Sequence, residues 1–303
     1  MRVVSLIASA TEIVCALGFR EALVARSHEC DWPPGVEDLP AVTEPAFPTD
    51  GTSYAIDQRV RALVAEALSV YRVDADALAA LEPDLVVTQA QCEVCAVSLS
   101  DVERALADWT GERPRVVSLE PDALADVWDD VRRVAVALGA PHRGEALVAE
   151  LAGRMRTVAE RAATLERRPS VACVEWIEPL MAAGNWTPEL VEMAAGESVF
   201  GEAGEHAPAL AWEDLAAADP EVVLVSPCGF DLEKTRSEMP ALTDRDGWEE
   251  LRAVRQGRVA LADGVAWFNR PGPRLAETLE ILAEILHPDA FDFGWRGEAW
   301  EPL

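Results

Sequence analysis

Two cysteines, Cys92 and Cys95, stand three positions apart in the segment QAQCEVC. A pair with this spacing can bind a soft metal such as zinc or iron, or can cycle between dithiol and disulfide. The segment SHECDW carries His28 and Cys30, which would supply the two further ligands that a tetrahedral site needs. We therefore predict that His28, Cys30, Cys92 and Cys95 form a metal site for zinc or iron.

Two other interpretations of these side chains stay open. Thiols that follow strands can line a ligand pocket without binding a metal of their own, and a thiol at a helix N-terminus has the lowered pKa of a redox cysteine. A redox role would lack the rest of the thioredoxin pattern in this sequence. His28 alone is typical of a hydrogen-bonded loop residue, and it is the neighbouring Cys30 that favours ligation.

Aromatic and polar residues in several loop-like segments could hold a flat ligand. Tryptophan offers a stacking surface, while the Asn and Arg of the segment WFNRPGPR suit carboxamide and carboxylate groups. Core packing is the structural alternative for the tryptophans, and an ion pair with an acidic neighbour is the alternative for the arginine. The predicted ligand-binding residues are Trp32, Trp176, Trp186, Trp267, Phe268, Asn269, Arg270 and Gln89.

Charge and missing motifs narrow the class of function. The chain has 54 acidic and 26 basic residues, a formal charge of −28, so we expect neither nucleic acid nor an anionic membrane as a partner. The sequence lacks the serine elbow, the phosphate-binding lysine loop, the H-E-x-x-H zinc motif and a G-x-G-x-x-G turn. We predict that the protein is not an enzyme. The alternative is a cytoplasmic metal-binding or thiol-dependent enzyme that uses the cysteine cluster.

Strand and helix patterns alternate along the chain, which predicts an α/β fold with parallel sheets. The first strand, RVVSLI, leads into a helix with a capping box, Ser9 as N-cap and Glu12 three residues later, that ends at Gly18. The segments LEPDLVV and ADPEVVL place Pro83 and Pro220 at matching points before apolar strands. This internal match predicts two lobes of similar build.

The predicted organisation is an N-terminal lobe over residues 1–140, a linker helix over 141–168 and a C-terminal lobe over 169–303. Each lobe is expected to be Rossmann-like, with its ligand-binding loops at the carboxyl ends of the parallel strands. If the two lobes face each other, those loops form one cleft.

The chain resembles the substrate-binding proteins of ABC importers for vitamin B12, and more broadly the class III periplasmic binding proteins that also bind haem and iron siderophores. The resemblance covers nearly the whole chain. It rests on five features: RVVSLIASATEIVCALG, ARSHECDWP, LEPDLVVTQ, the long linker helix, and FNRPGPRLAETLEILAEILHP.

The resemblance implies a monomeric receptor for cobalamin or a related corrinoid or metal chelate, held between the lobes by aromatic side chains. It also implies an ABC permease partner that docks on one glutamate on the outer face of each lobe. Because we find no signal peptide at the N-terminus, we expect a cytoplasmic protein, or an extracytoplasmic one if the true start lies upstream.

Overall fold

Parallel strands form the centre of the first of two units. The computed structural model describes residues 1–66, 68–90, 97, 99–107 and 113–303. The first unit comprises Met1–Gly51, Ala55–Pro121 and Ala125–Glu150. Along this part of the chain the elements are β1 (Val3–Ser5), α1 (Ala8–Ala16), β2 (Leu23–Arg26), β3 (Thr43–Pro45), α2 (Ser53–Ala65), β4 (Tyr71–Val73), α3 (Ala75–Ala80), β5 (Leu85–Gln89), α4 (Leu99–Ala105), β6 (Arg115–Leu119), α5 (Leu124–Ala137) and α6 (Pro141–Ala162).

The main sheet of this unit has the order β2–β1–β5–β6, with every pair of neighbours parallel. Successive residues of a strand point to opposite faces, so Leu85 and Val87 lie in one apolar cluster and Val86 in another. Burying each of these side chains contributes about 1.5–3 kcal/mol. Both faces of the sheet are therefore covered, as the near-continuous apolar strands predict.

The start of α1 differs from the predicted capping box. The helix begins at Ala8 with Ile7 as its N-cap, and no side chain caps it. Ser9 lies inside the helix, 1% exposed, and its hydroxyl oxygen has no hydrogen-bond partner among the described residues. The capping-box prediction is wrong because the chain enters the helix directly after β1. The predicted end is confirmed, since the amide of Gly18, with φ of +81°, bonds to the carbonyl of Cys15.

The second unit comprises Thr52–Tyr54, Asp122–Leu124 and Leu151–Leu303. Its sheet runs β12–β11–β10–β7–β8, and β9 also pairs with β7. The inner pairs are parallel, whereas β8 and β12 are antiparallel edge strands. The elements are β7 (Ser170–Trp176), β8 (Met181–Ala182), α7 (Thr187–Met193), β9 (Glu197–Ser198), α8 (Trp212–Ala218), β10 (Val222–Val225), α9 (Leu232–Glu238), α10 (Pro240–Thr243), α11 (Arg252–Arg255), β11 (Val259–Ala262), α12 (Leu275–Leu286) and β12 (Trp300–Pro302).

The internal match in the sequence corresponds to the same local structure in both units. Helix α3 leads into β5 and helix α8 leads into β10, each through an acidic residue and a proline. Glu82 and Asp219 both take the left-handed conformation, with φ of 41° and 43°. This conformation ends a helix, and the following proline cannot continue it. The predicted α/β fold with two similarly built halves is confirmed.

The predicted long helix is α6, which runs from Pro141 to Ala162. The division between the two units falls inside it, between Glu150 and Leu151. The predicted domain boundaries at 140 and 169 stay a prediction. Within the described ranges, each helix is too short or too polar to cross a lipid bilayer.

Candidate functional site

Parallel strands of one sheet end on the same side, which we call the carboxyl edge, and in α/β proteins ligands bind outside it. In the first unit this edge holds small buried polar side chains. The hydroxyl oxygen of Thr11 lies within hydrogen-bond distance of Ser5 Oγ at 2.8 Å and of Cys30 Sγ at 3.0 Å. Cys30 is 1% exposed. Its thiol is therefore packed against the start of α1 and offers little surface to an external ligand.

His28 follows β2 and is half-buried at the same edge. Thr43 donates to Ser27 Oγ at 3.0 Å, and its oxygen lies 2.8 Å from Nδ1 of His28. In the tautomer whose Nδ1–H donates to Thr43, Nε2 keeps the lone pair. Burial, and then Arg26, lower the pKa of His28, so its neutral form is favoured. A neutral imidazole with an unprotonated Nε2 can coordinate a metal.

Only two of the four predicted metal ligands, His28 and Cys30, lie within the described residues. Cys92 and Cys95 lie outside them, so the four-residue site stays a prediction. Among the residues that are described, no three His, Cys, Asp or Glu side chains converge as a metal site would require. The other predicted ligand-binding residues of this unit differ in exposure: Gln89, at the end of β5, is buried, whereas Trp32 is 43% exposed.

Asp130 of α5 is a buried acid beside the loop that follows β6, and it is a residue the sequence analysis missed. Its carboxylate accepts from the amide of Glu120 at 3.2 Å and from Arg133 at 2.8 Å. Burial raises the pKa of Asp130 to about 7, although these two contacts oppose the rise. The i, i+3 spacing of Asp130 and Arg133, which suits one face of a helix, was the signal available.

In the second unit, Trp176 ends β7 and is half-buried. Its ring lies 5.2 Å from that of Phe230, and its indole N–H donates to the carbonyl of Glu178 at 3.1 Å. Lys234 places its ammonium 5.2 Å from the centre of the Phe230 ring and 3.1 Å from a carboxylate oxygen of Glu238. Trp176 is thus held by an aromatic neighbour that is itself next to an ion pair.

Glu175 precedes Trp176 on β7. Burial raises the pKa of Glu175 to about 7, and a hydrogen bond from the backbone of Gly184 opposes the rise. The carboxyl group therefore titrates near neutral pH at the carboxyl edge of the sheet. Glu175 was not among the residues predicted from the sequence.

The segment after β11 forms one turn of π-helix, Gly264–Phe268, which presents Trp267. A Cβ atom at Gly264 would lie 2.1 Å from the carbonyl oxygen of Pro227, so only glycine fits there. The guanidinium of Arg274 lies 3.9 Å from the centre of the Trp267 ring, and the ring of Trp295 lies 4.8 Å from it. Trp267 is half-buried between charged and aromatic neighbours.

Charges surround the same turn. Asp263 accepts a hydrogen bond from the amide of Ala266 at 2.7 Å. Burial, and then Asp231, raise the pKa of Asp263, whereas Arg270 and Arg274 act in the opposite direction. Arg270 and Arg274 are 7% and 8% exposed. Their positive charges favour the ionised form of Asp263.

The remaining predicted ligand-binding residues of this unit contact its interior. Trp186 is 5% exposed and donates its indole N–H to the carbonyl of Phe268, which is itself 2% exposed. Asn269 donates to the carbonyls of Ser226 and Gly264 at 3.2 and 3.1 Å. Their roles toward a ligand stay predictions, while their observed contacts hold the Trp267 turn in place.

Sequence reasoning missed Arg274, Glu280 and Trp295. Arg274 and Trp295 lie next to the ring of Trp267, and Glu280 accepts a hydrogen bond from Trp295. Glu277, Glu280 and Glu284 recur at helical spacing on α12, a pattern that normally indicates a solvated face. The last two are 7% and 4% exposed. Acidic residues on an otherwise apolar helix were the signal that could have identified them.

The comparisons with known proteins agree with this architecture. An uncharacterised ABC transporter substrate-binding lipoprotein of Bacillus subtilis is 24% identical over 96% of this chain and 81% of its own. A vitamin B12-binding protein of Vibrio cholerae is 21% identical over 94% and 88%. The crystal structure of a periplasmic haem-binding protein from Pseudomonas aeruginosa superposes with a TM-score of 0.71 at 24% identity, covering 95% and 93%, which shows the shared fold.

The predicted cytoplasmic location is wrong. The family whose model matches is described as periplasmic binding protein, and one relative is a lipoprotein. Both descriptions are extracytoplasmic. The family model covers residues 3–266, most of the described sheet strands included. The chain belongs to the periplasmic binding protein family, whose members bind solutes for uptake and are not enzymes.

Proposed function

We propose that the protein is a receptor for cobalamin or a related corrinoid or metal chelate. The observation that carries the proposal is the pair of half-buried indoles, Trp176 and Trp267, at the carboxyl edge of the second unit. Indole faces suit a flat macrocycle, because both are apolar and polarisable. Relatives described as binding vitamin B12 and haem support the same ligand class.

His28 supports a metal-bearing ligand. Its Nε2 lone pair and lowered pKa would let it donate to an open coordination position without first losing a proton. The proposal assigns His28 this contact in the first unit. It also assigns the protein a small-molecule ligand, an ABC permease partner and a monomeric state, as expected of a substrate-binding protein.

The direct test is titration of the purified protein with cyanocobalamin, dicyanocobinamide and haemin, followed by calorimetry and absorption. We expect at least one of them to bind with a Kd of about 10 μM or lower, which corresponds to roughly −7 kcal/mol. No heat and no spectral change with any of the three would refute the proposal.

Two variants test the tryptophans. Trp176→Ala and Trp267→Ala should each weaken binding by roughly tenfold, because an aromatic contact is lost. Trp212→Ala is the matched control: Trp212 is partly buried at the start of α8, where its ring stacks on Trp248. Equal losses in all three variants would show that general destabilisation, and not ligand contact, is being measured.

The metal contact has its own spectroscopic test. His28→Ala should change the absorption spectrum of bound haemin or aquocobalamin, because an axial nitrogen donor is removed. His206→Ala, at an exposed position, is the matched control and should leave the spectrum unchanged. Identical spectra for wild type and His28→Ala would exclude His28 as the donor.

A further inference from the structure

The C-terminal segment contacts the predicted ligand-binding turn through one tryptophan. The ring of Trp295 lies 4.8 Å from that of Trp267, with 58° between the ring planes. This tilted arrangement is favoured for aromatic pairs, since a positive ring edge meets a negative ring face. The orientation of Trp267 therefore depends on where the Trp295 ring is held.

Trp295 is held by a buried carboxylate. Its indole N–H donates to Glu280 Oε2 at 3.1 Å, and its amide donates to Glu284 at 3.2 Å. Glu280 is 7% exposed. An indole N–H bonded to a charged acceptor is fixed more firmly than one bonded to a neutral acceptor.

Glu280 is in turn oriented by Arg154 of α6. Two nitrogens of the guanidinium reach the two oxygens of Glu280 at 2.7 Å each, and a third nitrogen reaches Glu277 at 2.7 Å. A two-point contact of this kind fixes the plane of the carboxylate as well as its position. The chain of contacts runs from α6 through α12 and the C-terminal segment to the ring of Trp267.

We propose that Glu280 and Trp295 are positioning residues that fix the orientation of the Trp267 indole at the carboxyl edge of the second unit. Neither residue needs to touch the ligand. The consequence for ligand binding rests on the function proposed above, whereas the orientation of Trp267 does not.

The first measurement needs no ligand. The protein is labelled with 5-fluorotryptophan, and the fluorine resonances of Trp267 and Trp176 are assigned by their loss in Trp267→Phe and Trp176→Phe. Trp295→Phe keeps a ring and removes the N–H donor, while Glu280→Leu removes the acceptor. Both variants should shift or broaden the Trp267 resonance and leave the Trp176 resonance in place, because Trp176 contacts Phe230 instead.

Trp300→Phe is the matched control. Trp300 lies in the same segment and donates its indole N–H to Glu284 at 3.0 Å. It should leave the Trp267 resonance unchanged. A Trp267 resonance that stays at its wild-type position in Trp295→Phe and Glu280→Leu, or that moves equally in Trp300→Phe, would overturn the proposal.

The second measurement is affinity for cyanocobalamin and haemin. Trp295→Phe and Glu280→Leu should weaken the probe that wild type binds by roughly three- to tenfold, and Trp300→Phe should not. If the Trp267 resonance moves but the affinity does not change, a role of Glu280 and Trp295 in ligand binding is refuted. If wild type binds none of cyanocobalamin, dicyanocobinamide and haemin, the proposed function fails, and the fluorine spectra still decide whether Glu280 and Trp295 orient Trp267.

Discussion

The carboxyl edges of the two sheets are stabilised in different ways. In the first unit, short hydroxyl and thiol side chains bond in pairs within the edge itself, Thr11 with Cys30 and Thr43 with Ser27. In the second unit, the aromatic residues Trp176 and Trp267 depend on neighbours that lie next to ion pairs. The same α/β architecture thus carries one edge joined by hydroxyl and thiol hydrogen bonds and another with aromatic rings near ion pairs.

The first edge is stabilised by contacts within the edge, whereas the second edge depends on more distant parts of the chain. The hydrogen bonds of the first edge join residues at the end of β1, in α1, just after β2 and at the start of β3. Each bond contributes about 1 kcal/mol. The second edge requires Arg154 of α6 and the segment after α12 to be in place. We therefore expect its geometry to respond to substitutions far from the Trp267 turn.

The largest predicted effect tests how closely the backbone packs at the second edge. In Gly264→Ala, the new methyl group would lie 2.1 Å from the carbonyl oxygen of Pro227 and 2.8 Å from that of Ser226. We expect the free energy of unfolding to fall by about 3 kcal/mol or more, as measured by urea denaturation.

Gly153→Ala is the control for this substitution. Gly153 is inside α6, and a methyl group there would lie 3.7 Å from a nitrogen of Arg156. Alanine should stabilise the helix by about 0.5–1 kcal/mol. A free energy of unfolding in Gly264→Ala that is equal to or above that of wild type, as expected for the control, would contradict the close backbone approach.

A smaller effect is expected at the first edge. Thr11→Val keeps the size of the side chain but removes the hydroxyl that bonds to Ser5 and Cys30. The free energy of unfolding should fall by about 1–3 kcal/mol, because buried partners lose a hydrogen bond. Thr157→Val, at an exposed position of α6, should change it by less than about 0.5 kcal/mol. Equal changes in the free energy of unfolding for Thr11→Val and Thr157→Val would show that the contacts of the Thr11 hydroxyl add no stability.

The smallest effect concerns the buried acids, one beside each edge. Burial raises the pKa of Asp130 and of Glu175 to about 7, so between about pH 4 and 7 the native state binds protons that the unfolded state has released. Stability from these groups is present at low pH and is lost as pH rises through the window. In Asp130→Asn the free energy of unfolding should therefore fall less steeply as pH rises. At pH 8 it should exceed that of wild type by about 1 kcal/mol.

The control for the acids is Asp129→Asn, whose side chain is 69% exposed. It should keep the pH dependence of wild type, while Glu175→Gln should flatten it in the same direction as Asp130→Asn. Thermal unfolding measured from pH 4 to pH 8 provides the comparison. A wild-type pH profile in Asp130→Asn would show that Asp130 is ionised throughout.

Sequence patterns predicted β1, β5, β10 and the ends of α1, α3 and α8 because these depend on neighbouring residues. The apolar run before Gln89 and the acidic residue before Pro83 each indicate an element or its end without tertiary information. The start of α1 was placed wrongly, since Ser9 has the right type and spacing for a cap but lies inside the helix. Local spacing could not show how the chain leaves β1.

The site residues were harder to predict, because exposure and pairing arise from distant parts of the chain. Trp186 and Trp267 lie in similar loop-like sequences, yet the first is 5% exposed and the second half-buried. The sequence spacing of Glu280 is typical of a surface residue. In the structure its carboxylate is bound by Arg154, 126 positions away, and by Trp295.

The sequence by itself determined the alternating α/β pattern, the matched halves around Pro83 and Pro220, and the segments that carry His28, Trp176 and Trp267. These features follow from periodicity and turn chemistry, which act over a few residues. Only the tertiary structure decided which of those side chains are buried and which acids titrate near neutral pH. Burial and charge pairing depend on what the remote chain brings alongside, and no local pattern encodes that.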